Sequence, residues 1–199
     1  MRPKTLLEMA GAAAKPARLA DAVVVVIDAQ HEYVDGALPL PGVQPALDEI
    51  GRLLKRARAS STPIIHVVHH GREGGLFAPG SHGAEVAAPA APAPGEAVVS
   101  KRLPNAFAST DLAERLRALH RGEIVVVGFM THMCVEATTR AAIDNGFKAT
   151  VIAAGTATRD LADPLGGAAV PAADVQRSAL AALADRFATV VPNVQAIPD

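Results

Sequence analysis

The chain has one cysteine, one tyrosine and no tryptophan in 199 residues. A single thiol excludes an internal disulfide framework, and it suits a reducing compartment. Aromatics make up 3% of the residues while hydrophobic residues reach 50%. Alanine, valine and leucine must therefore fill the core. Charge is balanced, with 19 Lys and Arg against 20 Asp and Glu, so no basic face can be inferred and nucleic acid is not an expected partner. No stretch approaches an uninterrupted membrane span, and no membrane partner is expected. The opening segment MRPKTLLEMAGAAAKPARLA lacks a long apolar run, because Glu8 and Lys15 interrupt it. It reads as a short leading helix or arm rather than a signal peptide, and a cytoplasmic location is expected.

The length fits one α/β domain spanning 1–199 and is too short for two ordinary ones. Short apolar runs alternate with amphipathic stretches. Strands are expected at Val23–Ile27, Ile64–Val68, Val98–Val99, Ile124–Val127, Thr150–Ala153 and Thr189–Val191. Helices are expected over 42–59, 110–120 and 172–187, the second capped by Thr110. This rhythm predicts a parallel sheet with helices on both faces. Two segments rich in Gly, Pro and Ala, 71–96 and 156–171, read as surface loops near the site. A mean hydropathy of +0.23 points to a homo-oligomer, dimer or tetramer, that buries further apolar surface.

The lone cysteine, Cys134, lies in GEIVVVGFMTHMCVEATTRAAIDNGF, which reads as a buried strand, a sharp turn and a helix stopped at Gly146. In a first helical turn the unpaired N–H groups and the dipole favour a thiolate. An inert core cysteine is the competing reading. Parallel sheets place ligands at the carboxyl ends of their strands. Asp28 closes one strand, Lys101 follows another and Cys134 follows a third. Each alone is ordinary. Together they form a thiol site: Asp28 accepts the thiol proton, Lys101 holds the anion, and the sulfur attacks a carbonyl.

The segments VVIDAQ at 25–30, SKRLPNAFAST at 100–110 and GFMTHMCVEATTRAA at 128–142 resemble the isochorismatase-like cysteine hydrolases, which include nicotinamidases and N-carbamoylsarcosine amidohydrolases. The resemblance runs over nearly the whole chain. It implies a three-layer α/β/α Rossmann-like fold with a six-stranded parallel sheet of order 3-2-1-4-5-6. It implies an Asp28–Lys101–Cys134 triad, a cis peptide between Phe129 and Met130, and an oxyanion hole made by the backbone N–H groups of Met130 and Cys134. The implied activity is hydrolysis of a small amide, carbamoyl or imide-like C–N bond through a thioester, with a small molecule as substrate and no cofactor.

Departures from the family bear on the substrate. True isochorismatases resemble this chain but lack the nucleophilic cysteine. Nicotinamidases carry a metal-binding Asp-x-His after the second strand, where this chain reads IIHVVHHGREGG. Alternation places His66 and His70 on one face and His69 on the other, so no metal is expected there. Gln30, His70, Phe107, Thr131 and His132 are candidate substrate contacts. Gln30 could instead hold a loop, Phe107 could be ordinary core, and Thr138 is expected to bond backbone within its helix. Arg159 and Asp160 are candidates to order their loop. Two alternatives stay open: a metal-dependent nicotinamidase, and a non-catalytic domain whose thiol senses redox state.

Overall fold

A computed structural model of the protein describes residues 3–12 and 15–199. In chain order its main elements are α1 (Leu6–Met9), β1 (Ala22–Ile27), α2 (Val43–Ala59), β2 (Ile64–His69), β3 (Ala97–Lys101), α3 (Leu112–Ala118), β4 (Glu123–Phe129), α4 (Glu136–Asp144), β5 (Lys148–Ala157), α5 (Ala172–Arg186) and β6 (Ala188–Val191). The strands form one six-stranded sheet in the order β3-β2-β1-β4-β5-β6, and every pairing is parallel.

Strand β1 shows why the sheet is buried on both faces. All six of its residues are buried. Successive side chains point to opposite faces. Val24 and Val26 accordingly join a core cluster with Leu47, Ile50 and Leu54 of α2, while Val23 and Val25 join another with Leu112, Leu116 and Leu183 from α3 and α5. A near-continuous β-branched run is what such a strand requires. The result is three layers, with α2 on one face and α3, α4 and α5 on the other.

The strands run longer than their apolar cores suggest. β3 continues to Lys101 and β5 to Ala157. The register between β4 and β5 shifts after Val126, where a bulge admits extra residues of β5. Gly128 sits beside that shift at φ 119°. A Cβ there would meet the Ile27 carbonyl oxygen at 1.9 Å, so only glycine lets β4 close on β1 at the level of the site. The start of α3 departs from expectation. Asp111 occupies the cap position, while the Thr110 hydroxyl donates back to Ala106 and accepts from Leu112 N–H.

Candidate active site

β1 and β4 are neighbours at the centre of the sheet, with Ile27 opposite Gly128. Their carboxyl ends carry Asp28 and the turn that holds Cys134. Here the chain order reverses, and ligand crevices form at such switch points. Asp28 has φ 48°, a left-handed conformation that turns the chain off the strand. Cys134 lies in a π-helical turn, Thr131–Val135, that leads into α4, rather than in a first α-helical turn. Wider turns of this kind recur at functional positions. The Phe129–Met130 peptide is cis.

Lys101 lies two strands from Asp28, at the end of the edge strand β3. In register it faces His69 of β2. Strands are about 4.8 Å apart, and the long side chain reaches across β2 toward the end of β1. Its ammonium lies 2.6 Å from Asp28 Oδ2, 3.2 Å from Cys134 Sγ and 3.2 Å from His69 Nδ1. The Asp28 contact is a close ion pair rather than an aligned hydrogen bond. An ammonium has three protons, and three partners surround this one. Asp28 and Lys101 are 0% and 2% exposed, and Cys134 is 5% exposed.

Burial decides the ionisation of these groups. It raises the Asp28 carboxyl above the usual carboxylate range, and Lys101 only partly offsets it. Burial also pushes the Cys134 thiol up to about 12, and the neighbouring Asp28 adds to this against the pull of Lys101. The thiolate expected from the helix dipole is therefore not the resting form. The resting thiol keeps its proton. Moving the thiol proton to an ionised Asp28 shifts the negative charge to sulfur without changing the net charge of the cluster. That transfer needs no further ion to enter a dry site.

His66 and His69 point to opposite faces, as alternation requires, whereas His70 lies beyond the end of β2. Buried His66 places Nε2 2.8 Å from Glu96, whose carboxylate also pairs with Arg58. His69 faces Lys101. Burial and the adjacent Lys101 lower it to about 4, so it is a neutral acceptor for the lysine. His70 borders a hollow of about 180 Å³ with Lys101, Arg102 and Ser109. A wider groove lies at the opposite ends of the strands, between Lys15, Glu123 and Phe187, and contains none of Asp28, Lys101 and Cys134.

Gln30 holds the loop. It is 0% exposed, its amide donates to the carbonyls of His69 and Ala84, and its oxygen accepts from His69 N–H. Phe107 stacks on Phe147, 6.1 Å between centroids, and packs with the core. Thr131 donates to the Ala157 carbonyl, and His132 pairs with Thr158, so both tie the turn that holds Cys134 to the end of β5. Thr138 does not bond within its helix. Its hydroxyl accepts from Ala106 N–H, joining α4 to the loop after Lys101. Arg159 reaches the Asp160 carbonyl, and the Asp160 carboxylate accepts from Ala172 N–H at the start of α5.

Two residues escaped the sequence reading. In sequence His69 is one of three histidines in and just after a strand; its register opposite Lys101 comes only from strand pairing. Glu32 is 6% exposed and accepts from the backbone of Ala37 and Phe77, bracing the loop after β1 against the 71–96 loop. No motif marks it.

A family model for the Isochorismatase domain matches residues 22–193. The chain belongs to the isochorismatase family. An isochorismatase from Pseudomonas putida KT2440 of known crystal structure superposes with a TM-score of 0.92 at 42% identity, covering 96% of this chain and 97% of that one. The secreted isochorismatase effector Isc1 of Verticillium dahliae is 38% identical over 186 residues, 93% of this chain and 95% of that protein. A streptothricin hydrolase of Streptomyces noursei is 36% identical over 176 residues, 88% of this chain and 63% of that protein. This isochorismatase-family hydrolase has no helix, among the described residues, long and apolar enough to cross a membrane.

Proposed function

We propose that the chain is a cysteine hydrolase that cleaves the C–N bond of a small amide, carbamoyl or imide-like substrate, with Asp28, Lys101 and Cys134 as its triad. One observation carries this: a buried ammonium in contact with both a carboxylate and the only thiol of the chain. The streptothricin hydrolase named above supports hydrolysis. A maleamate amidohydrolase from P. putida, 31% identical over 146 residues (65% of this chain, 68% of that protein), supports an amide substrate class.

The proposed cycle conserves its protons. Asp28 takes the Cys134 proton as sulfur attacks the carbonyl carbon, and Lys101 stays beside both. The oxyanion faces the backbone N–H groups of Met130 and Cys134, and one such donor is typically worth ~10²–10³ in rate. Asp28 then gives its proton to the leaving amine, and the C–N bond breaks to leave a thioester. Water attacks the thioester with Asp28 again as base. The acid departs and sulfur recovers its proton.

The redox-sensing alternative requires an exposed thiol of low pKa. Cys134 is buried and its thiol is raised. The nicotinamidase alternative requires shared metal ligands after β2. Within β2 itself, His66 is engaged by Glu96 and His69 by Lys101.

The test is a screen of small primary amides and carbamoyl compounds for release of ammonia or amine. Turnover is expected for at least one member, unchanged after dialysis against a chelator. Cys134→Ala is expected to abolish it without loss of fold, and an acyl adduct on Cys134 is expected by mass spectrometry after rapid quenching. Full activity in Cys134→Ala refutes the covalent route. Loss on chelation with recovery on adding metal refutes the metal-free cycle.

A further inference from the structure

We propose that His31, Asp35 and His82 form a site for a borderline divalent transition metal such as zinc or cobalt, apart from the triad, that pins the 71–96 loop to the turn after β1. The sequence reading expected no metal. These three residues come from two segments far apart in the chain, and their ligand atoms all lie within 4.8 Å of one another.

The donors converge on one point. His31 Nδ1 is 2.9 Å and His82 Nε2 is 3.1 Å from the same oxygen, Asp35 Oδ1. The two imidazole rings lie 4.2 Å apart. Zinc takes imidazole nitrogen and carboxylate oxygen at about 2.0–2.2 Å, which separates tetrahedral ligand atoms by about 3.3 Å. The two sides of the triangle that meet at Asp35 need to open by only a few tenths of an ångström. Three protein ligands leave a fourth position for water. Two imidazoles and one carboxylate favour zinc, cobalt, nickel or copper over magnesium and calcium, which prefer all-oxygen sets.

Two further features prepare the site. A histidine that binds metal through one ring nitrogen commonly offers the other to a carboxylate, which fixes its tautomer. The remaining nitrogen of His82, Nδ1, lies 3.6 Å from Glu85 Oε2. Beneath the site, Glu32 holds both segments. It accepts from the backbone of Ala37 and Phe77. Gly36, next to Asp35, and Gly83, next to His82, press against it so closely that a Cβ would lie 2.6 Å from Glu32 Cα and 2.3 Å from Glu32 Oε2, respectively. His31 N–H donates to the Glu85 carbonyl. The backbone is thus set before a metal arrives.

A metal here acts on the loop. Gln30, the residue before His31, carries the hydrogen bonds to Ala84 and His69. Phe77 of the same loop packs edge-on against His69, the partner of Lys101. Binding would stiffen this cover while leaving the triad atoms untouched.

The test uses chelator-stripped full-length protein carrying Cys134→Ala, so that the thiol cannot ligate. Cobalt and zinc are the probes, and magnesium is the control. One equivalent of cobalt is expected, with visible absorption in the ligand-field region, displaced by zinc and not by magnesium. Zinc at a hundredfold excess over its Kd should raise Tm by about 5–10 °C. His82→Ala and Asp35→Asn should abolish binding, and His120→Ala, an exposed histidine elsewhere, should not. Glu85→Gln, which spares all three ligands, should weaken zinc about 10–100-fold. Absence of cobalt binding, or affinity unchanged in His82→Ala or Asp35→Asn with circular dichroism showing the native fold, overturns the site.

Discussion

Lys101→Met tests whether the buried ion pair is the organising element of the triad. At 2.6 Å the Asp28–Lys101 attraction is about 6 kcal/mol at an effective dielectric of about 20. Removing two ions from water costs several kcal/mol each, so the pair as a whole is close to neutral for stability. Removing one partner is different, because the other stays buried and uncompensated. Lys101→Met is expected to cost about 3–5 kcal/mol, a fall in Tm of roughly 6–20 °C for a chain of this length. Asp28→Asn should cost less, since Cys134 can supply the anion by losing its proton to solvent. The double variant should be more stable than Lys101→Met alone, with a coupling energy of about 3 kcal/mol or more. Acidity adds a signature. In Lys101→Met the burial that raises Asp28 acts unopposed, and a raised carboxyl is stabilising below its unfolded pKa of 3.8 and is lost as pH rises through its folded value. The gap to wild type should therefore narrow on acidification toward pH 4. Urea unfolding followed by far-UV circular dichroism at pH 4–8 gives both quantities. Additive single and double variants, with coupling below about 1 kcal/mol, would refute the account, as would a gap that widens in acid. All three variants should lose at least ~10²-fold in kcat/KM, because each removes the proposed base or its partner.

The Cys134 thiol, raised to about 12 by burial and Asp28, should be alkylated slowly by iodoacetamide, at a rate that climbs past pH 9 without a plateau; a plateau near pH 7 would show a resting thiolate. His69→Gln, which can still accept from Lys101, should retain most activity, whereas His69→Leu should lower kcat more than KM and shift the pH–rate profile; equal effects would mean that His69 only fills space. Glu96 is held at about 2 by Arg58, with help from Ala93 N–H and His66. A depressed carboxyl stabilises above its unfolded pKa of 4.5 and is lost as pH falls toward 2. Arg58 is partly exposed and screened, so Glu96→Gln should cost about 1–3 kcal/mol at pH 7 and flatten the acid limb of the stability curve.

The sheet was legible in the sequence because a doubly covered parallel strand needs β-branched runs, and 23–27 and 124–127 supply them. Helix α2 was legible for a similar local reason: Leu47, Ile50, Leu53 and Leu54 recur at its period and are all buried. Asp28, Lys101 and Cys134 could be picked out because each follows such a strand in a recognisable segment. Their meeting was implied by family resemblance and strand order, and the distances came only with the sheet. Other properties arise from contacts between distant segments and have no local signature. The raised Cys134 thiol has no local signature, because a helix terminus is visible in sequence and burial is not. The role of His69 follows from its register opposite Lys101. Thr138 looked like a residue bonding its own helix and instead holds the loop after β3. Glu32, Gln30 and the His31–Asp35–His82 triangle depend on a Pro- and Ala-rich loop folding back over the end of β1. Local propensity shows where elements begin and end, whereas the dielectric, partners and protonation of a side chain are set by whatever the tertiary fold packs against it.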